Sequence, residues 1–349
     1  MSKPIRFPRS PINTLVTACL LTVVLCQEVV AKAPQSLSKT EREARLKTLE
    51  EANSNPSTSK AVRLKALLAT YEEPVIAMKA ELLKFVPSTD AKVIDRAQLD
   101  YDPEDSLMGF VTATEEDGMI SLSVGGIRTL AMLIDALLIV QHGFRSTHWL
   151  ISYEVYVRQA YLARQWAASP YEAANLTSDS LDKKFLDKSI NLHEDALLFT
   201  LAHEAAHLVK KHSVKKESGE SELDFTRRVQ KQEAAADEYA LEVYRRRKIP
   251  PASLVGVLTF LLTVYEPRTG DLASAIHPPD RVRLVNLLRE SLKLIRSNPK
   301  GTQQELAFFE TNARESIKTL SNDALYSQLL RDRDAFPVPT LEQLKYEIP

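Results

Sequence analysis

The feature that most constrains this chain is the run Leu201-Ala202-His203-Glu204-Ala205-Ala206-His207-Leu208. Four residues of α-helix turn through about 400°, so positions i and i+4 lie roughly 40° apart. His203 and His207 therefore share one helix face. Apolar or small residues surround them: Leu197, Leu198, Leu201, Ala202, Ala205, Ala206 and Leu208. A helix of this kind is expected to be buried, where an unsatisfied polar group costs about 1–3 kcal/mol. Two imidazoles on one buried face suit a divalent cation, and both can reach one Zn²⁺ at about 2.0–2.1 Å. Glu204 follows the first histidine and can reach a water at that cation. There it would act as general base and later pass the proton to a leaving amine. The opposing reading, a surface helix with two solvated histidines, conflicts with the apolar flanks.

Two histidines need a third protein ligand, and catalytic zinc commonly takes two histidines and a glutamate. The next helical stretch offers Glu233-Ala234-Ala235-Ala236-Asp237-Glu238. Glu233 and Asp237 again stand at i and i+4, so Glu233 can ligate while Asp237 orients a ligand histidine. The three alanines would let this helix approach the first closely. Ser213 to Ser221 is polar and charged, as a turn between antiparallel helices requires. Read alone, Glu233 and Asp237 would be an exposed acidic face; the neighbouring histidine pair reverses that reading.

Composition sets the fold class. Hydrophobic residues make up 44% and charged residues 26% of 349, which excludes a wholly disordered chain and a polytopic membrane protein. Glycine is scarce, at 9 residues, while alanine and leucine abound. The expectation is a mainly α fold with a small antiparallel β-sheet (α+β). Lys92–Leu99, Leu107–Thr114 and Met119–Val124 read as the strands, punctuated by Asp102-Pro103 and Asp117-Gly118. Helices are expected over Thr40–Ala52, Ala61–Phe85 (kinked or split at Pro74), Arg128–Val140, Asp195–His212, Glu222–Arg247, Pro251–Tyr265 and Arg281–Ile295, and again within 300–336. The stretch from Glu266 to Ile276 reads as a loop. Residues 145–190 are mixed, and their tryptophans and tyrosines (Trp149, Tyr153, Tyr156, Tyr161, Trp166) read as core.

The N-terminus carries Lys3, Arg6 and Arg9, then an uncharged run from Leu15 to Cys26, then small residues around Ala31 and Ala33. This is the layout of a secretory signal peptide, with an uncleaved anchor as the alternative. Its removal at residue 33 would leave 41 basic and 45 acidic residues, a net −4, against −1 for the whole chain. Both cysteines, Cys19 and Cys26, would leave with it. A thiol-free chain suits an oxidising compartment, which in a bacterium is the periplasm. The near-neutral charge argues against nucleic acid as a partner.

Glu-x-x-Ala-Asp downstream of His-Glu-x-x-His resembles the M48 metallopeptidases, a gluzincin group. Gly118-Met119-Ile120-Ser121-Leu122-Ser123-Val124-Gly125 is similar to that family's glycine–strand–glycine segment. His277-Pro278-Pro279-Asp280-Arg281-Val282-Arg283-Leu284 is similar to its downstream His-Pro motif. The resemblance covers roughly residues 90–295. It implies one Zn²⁺ held by His203, His207 and Glu233, with Glu204 as catalytic base and Asp237 behind a ligand. It also implies His277 and Arg283 at the rim, where either could stabilise the oxyanion and His277 could cap the metal. Without it, Arg283 reads as a solvated helix charge. Strand 119–124 is expected to receive an extended substrate as an added strand. Gly126 departs from the family's usual leucine. An insertion of several dozen residues between Gly125 and His203 carries His142, His148 and His193; these and His212 read as structural or solvated.

The expected organisation is a leader (1–33), an N-terminal helical segment (34–89), a metallopeptidase domain (90–295, with the insertion near 145–190) and a C-terminal helical tail (296–349). The expected activity is zinc-dependent endoproteolysis of polypeptides of the envelope or beyond it, close to a membrane only if the leader is retained. The alternatives are a non-catalytic envelope binding or scaffold protein that keeps the fold, and a helical scaffold without metal.

Overall fold

The structure, a computed structural model, describes residues 60–102, 111–114, 118–163, 165–177, 180–213, 215–248, 280–297 and 303–346. The leader, the helix expected over Thr40–Ala52, the apolar helix Pro251–Tyr265, the loop after it and His277 lie outside the described residues.

Helix α1 (Lys60–Leu82) runs through Pro74 as one element instead of being split there. Proline inside a helix costs about 3 kcal/mol. Tyr71, Val75, Met78 and Leu82 recur at spacings of three and four and are all buried. At about 1.5–3 kcal/mol for each large side chain, their burial outweighs that cost.

Helix α2 (Ser88–Arg96) replaces most of the strand expected over Lys92–Leu99. Asp90 lies in its first turn and Arg96 in its last, each favourable to the helix dipole. Only Ile94 is buried, so no alternating face exists to anchor a strand. Lys79 Nζ donates to the carbonyls of Asp95 (3.0 Å) and Ala97 (2.6 Å), which satisfies acceptors at the helix end.

Strands β1 (Gln98–Asp102), β2 (Val111–Thr114) and β3 (Met119–Ser123) form one sheet in the order β1-β3-β2. The sheet is mixed, not antiparallel throughout: β3 pairs parallel with β1 and antiparallel with β2. Gly118, at φ +58°, supplies the left-handed turn residue before β3. β3 takes the centre because Ile120 and Leu122 are fully buried. The expected strand ends one residue early, since Val124 already opens α3 (Val124–Gln141), capped by Ser123 Oγ accepting from Gly126 N–H at 3.1 Å.

Helix α3 is apolar on nearly every face and fills the core from Ile127 to Ile139. Helix α4 (Thr147–Leu162) and the short α5 (Pro170–Ala173) pack on it. Trp149 and Tyr153 stack, are fully buried and donate to the carbonyls of Leu344 and Ala168. For these two aromatics the core reading holds.

Helix α6 (Lys183–Val209) is the central strut. It begins twelve residues before the expected start at Asp195, because Asp182 caps it by accepting from Phe185 N–H at 2.7 Å. It packs against α1, α2, α3, β2 and α7 (Glu222–Arg247), whose ends fall where the sequence puts them. His207 meets Glu233, His203 meets Asp237, and Asp195 meets Arg247. These pairings run in opposite senses, so α6 and α7 are antiparallel. Glu233, Ala236 and Ala240 face α6, whereas Ala234 is exposed; a spacing of three to four, not the whole alanine run, makes the close approach.

After the undescribed stretch come α8 (Asp280–Ser297), α9 (Gln303–Ser321), α10 (Asp323–Asp334) and α11 (Leu341–Tyr346). The helical reading of 300–336 breaks at Asn322, whose Oδ1 accepts from the N–H groups of Ala324 and Leu325 and so starts α10. Among the described residues no helix is long and apolar enough to cross a membrane.

Candidate metal centre

The site lies between α6 and α7. One turn of α6 brings His203 and His207 together, with their Nε2 atoms 3.3 Å apart. Glu233 faces them from α7: one carboxylate oxygen lies 3.3 Å from His203 Nε2 and the other 3.5 Å from His207 Nε2. His203 and Glu233 are buried, with 7% and 5% of their surface exposed. Among the described residues this is the one cluster of three histidine, cysteine or acidic side chains placed to hold a metal ion.

The spacing is informative. Bonds of 2.0–2.1 Å to a tetrahedral ion put neighbouring donor atoms about 1.63 times that distance apart, or ~3.3–3.4 Å. The two imidazole nitrogens, 3.3 Å apart, stand at that edge length, and the Glu233 carboxylate reaches each of them with a different oxygen, at 3.3 and 3.5 Å. The donors, two neutral nitrogens and one carboxylate, are also the set that suits zinc, so the residues fit the ion that the sequence implies.

Glu204 is buried, and its Oε1 is 4.0 Å from His203 Nε2. It stands beside the ligand atoms without being one of the three.

Behind His203 runs a charged chain. Asp237 Oδ1 is 2.9 Å from His203 Nδ1. Arg283, from α8, donates to the same carboxylate twice, Nε to Oδ2 at 2.8 Å and Nη2 to Oδ1 at 2.7 Å. The site is thus built from three helices. Burial opposes the charge on Asp237, but Arg283 and His203 outweigh it and hold the carboxyl down at about 2. Burial likewise opposes protonation of His203; Asp237 and Glu233 outweigh it and lift the imidazole to about 10. Three carboxylates surround one imidazole, and the pocket calls for positive charge.

The structure thus joins His203, Glu204, His207, Glu233, Asp237 and Arg283. His277 lies outside the described residues. Arg283 is an ion-pair partner of Asp237, not a solvated helix charge. His193 pairs with Asp135 at 3.0 Å, and Asp135 also accepts from Ser189 Oγ at 2.6 Å. His142 packs against Phe144 and Phe185. These two fit the structural reading. His212 is half-buried, and its Nδ1 is 3.0 Å from Nδ1 of His207. Burial and nearby Lys210 push it below the ordinary histidine value. Nothing in the sequence marked this contact, because the expected helix ran on to His212, whereas α6 ends at Val209 and the chain turns back at the left-handed Lys211.

Residues 143–299 match a family of peptidases, Peptidase U49. The matched stretch takes in every candidate residue, His277 included, and the segment 145–190 that reads as an insertion. It supports proteolysis as the general class of activity. The family is not M48, the one the motifs resemble. No curated protein and no solved structure matches the chain.

Proposed function

We propose that the protein is a zinc-dependent endopeptidase of the gluzincin kind, related in mechanism to the M48 enzymes that its motifs resemble. The observation that supports this best is the buried cluster of His203, His207 and Glu233, with the two Nε2 atoms 3.3 Å apart and a Glu233 oxygen within 3.5 Å of each, beside Glu204. A bound Zn²⁺ would supply Lewis acidity, making water nucleophilic near neutral pH and polarising the scissile carbonyl. Glu204 would take the proton from the attacking water and return it to the leaving amine. Asp237 would accept the His203 Nδ1–H and hold that ring with its Nε2 lone pair facing the ion. Arg283 would act on the site through Asp237, since its Nε and Nη2 both donate there. Help to the oxyanion would come from His277.

The sheet changes the expected docking of substrate. β3 is central and paired on both sides, so it has no edge for an added strand. The edge beside α6 belongs to β2, and an extended peptide would add there. Substrates in the envelope, and export through the N-terminal leader to the periplasm, complete the proposal.

Zinc per chain, measured by elemental analysis, should be close to one for the wild type and far lower for Glu233→Ala. Glu204→Gln should keep its zinc and lose at least a hundredfold of its activity on unfolded casein. A wild type without zinc after supplementation, or an active Glu204→Gln, would end this reading.

A further inference from the structure

Each ligand imidazole has a second nitrogen, and the two are served differently. His203 Nδ1 meets the carboxylate of Asp237, whereas His207 Nδ1 meets another imidazole, His212. We propose that His212 is a positioning residue for His207: its Nδ1 accepts the His207 Nδ1–H and so fixes the tautomer that presents the Nε2 lone pair to the metal. The inference rests on the metal reading above.

The end of α6 is what brings His212 there. Lys210 N–H bonds to the Ala206 carbonyl, Lys211 N–H to Leu208, and His212 N–H back to His207 at 2.9 Å. Lys211 is left-handed, at φ +55°. These are the bonds of a Schellman cap, in which the second residue past the cap folds back over the third-last helical residue. That contact is commonly apolar; here it joins His212 to His207. The two residues are therefore linked twice, once by backbone and once by ring, with ring centroids 4.9 Å apart and planes at 77°.

The chemistry requires a partner of this type. A neutral imidazole that ligates through Nε2 carries its proton on Nδ1, and a buried N–H needs an acceptor. His212 is not a fourth ligand, because its Nδ1 lies at the far nitrogen of His207 and it falls outside the cluster of donor atoms. Its other side lines an open cleft with Asp224, Arg227, Arg228, Lys231 and Gln232.

The test is zinc affinity of the full chain, by competition against a chromophoric chelator, for wild type, His212→Leu, His212→Asn and Glu233→Ala. His212→Leu keeps bulk and removes the acceptor, and should bind zinc about 10–100-fold more weakly. His212→Asn restores an acceptor oxygen near the Nδ1 position and should recover most of that loss. A purely structural role would instead show in the urea midpoint of the metal-free proteins, which should stay together. Tight zinc binding by the wild type with His212→Leu unchanged, or His212→Asn as weak as His212→Leu, overturns the role of His212 alone. A wild type that binds no more zinc than Glu233→Ala overturns the metal reading and this inference with it. Should His212→Leu fail to fold, the long-range ¹H–¹⁵N spectrum of the zinc-loaded wild type decides: a proton on His207 Nδ1 supports the proposal, and a bare Nδ1 overturns it.

Discussion

Replacing Arg283 by leucine separates the metal chemistry from the fold that supports it. Arg283 and Asp237 form a two-pronged pair, with side chains 18% and 16% exposed. Breaking a fully buried pair by removing one partner costs about 3–5 kcal/mol, because the other charge stays buried. Here some exposure remains and His203 still bonds Asp237, so the cost should be smaller. A second route gives a similar figure. Asp237 is held at about 2 despite its burial, about two pH units below a free aspartate at ~3.9, so Arg283 and His203 together contribute roughly 2–3 kcal/mol beyond what offsets the burial. Arg283→Leu should therefore lower stability by about 2 kcal/mol. The assay is urea unfolding at pH 7 in chelator, so that zinc does not contribute. Adding Asp237→Leu should not add a second full penalty, since no orphan carboxylate remains; the double-mutant cycle should return a coupling of about 1–2 kcal/mol. A loss under about 0.5 kcal/mol, or strictly additive single losses, would refute the view that Arg283 compensates a buried charge.

Other expectations can be checked alongside. Glu290 is pushed up by burial, but Lys293 and Arg245 outweigh this and hold it below the ordinary glutamate value. Its contribution is therefore complete above the unfolded value near 4.3 and is lost as pH falls through the folded one. Glu290→Gln should be less stable than wild type at pH 7, by up to about 1 kcal/mol, and should converge with it in urea midpoints taken towards pH 2–3. Lys211→Gly should raise stability by about 0.5–1 kcal/mol, because glycine takes the left-handed cap position without strain, and should leave zinc affinity unchanged. Zinc at a hundredfold excess over its dissociation constant should add about 2.7 kcal/mol to wild-type stability and nothing comparable to Glu233→Ala, read as the shift in urea midpoint on adding the metal.

How much of this was legible in the sequence follows from the range of the interactions. His203, Glu204 and His207 lie within one helical turn, so periodicity alone placed them together. Glu233 and Asp237 required a guess about pairing between helices, and the matched i, i+4 spacing on both made it a strong one. The start of α7 was legible because the polar turn ends at Ser221, which caps the helix by accepting from Asp224 N–H, whereas the start of α6 was missed because its cap, Asp182, lies inside an irregular stretch. The sheet was half legible: the segments around β2 and β3 were seen, the expected Lys92–Leu99 strand proved mostly helix with β1 starting at Gln98, and strand order depends on long-range pairing, with burial of Ile120 and Leu122 putting β3 in the middle. His212 was beyond reach, because a Schellman cap is usually announced by glycine and here the left-handed residue is Lys211.

The charged groups at the site also bear on which part of the chain the metal would stabilise. Glu204, Glu233 and Asp237 gather around His203, and Arg283 sets its positive charge against Asp237. A divalent ion would need both imidazoles neutral, so its binding would compete with protons and weaken on acidification. Asp237 would then face Arg283 and a neutral ring that donates its Nδ1–H. The Arg283 pair then carries the burden of keeping Asp237 charged, and it reaches the site from α8, whereas all three ligands come from α6 and α7. Docking of α8 is thereby tied to ligand geometry. Changes that loosen α8 at Leu284 or Leu288, both fully buried, should weaken zinc binding although neither residue belongs to the set of ligands.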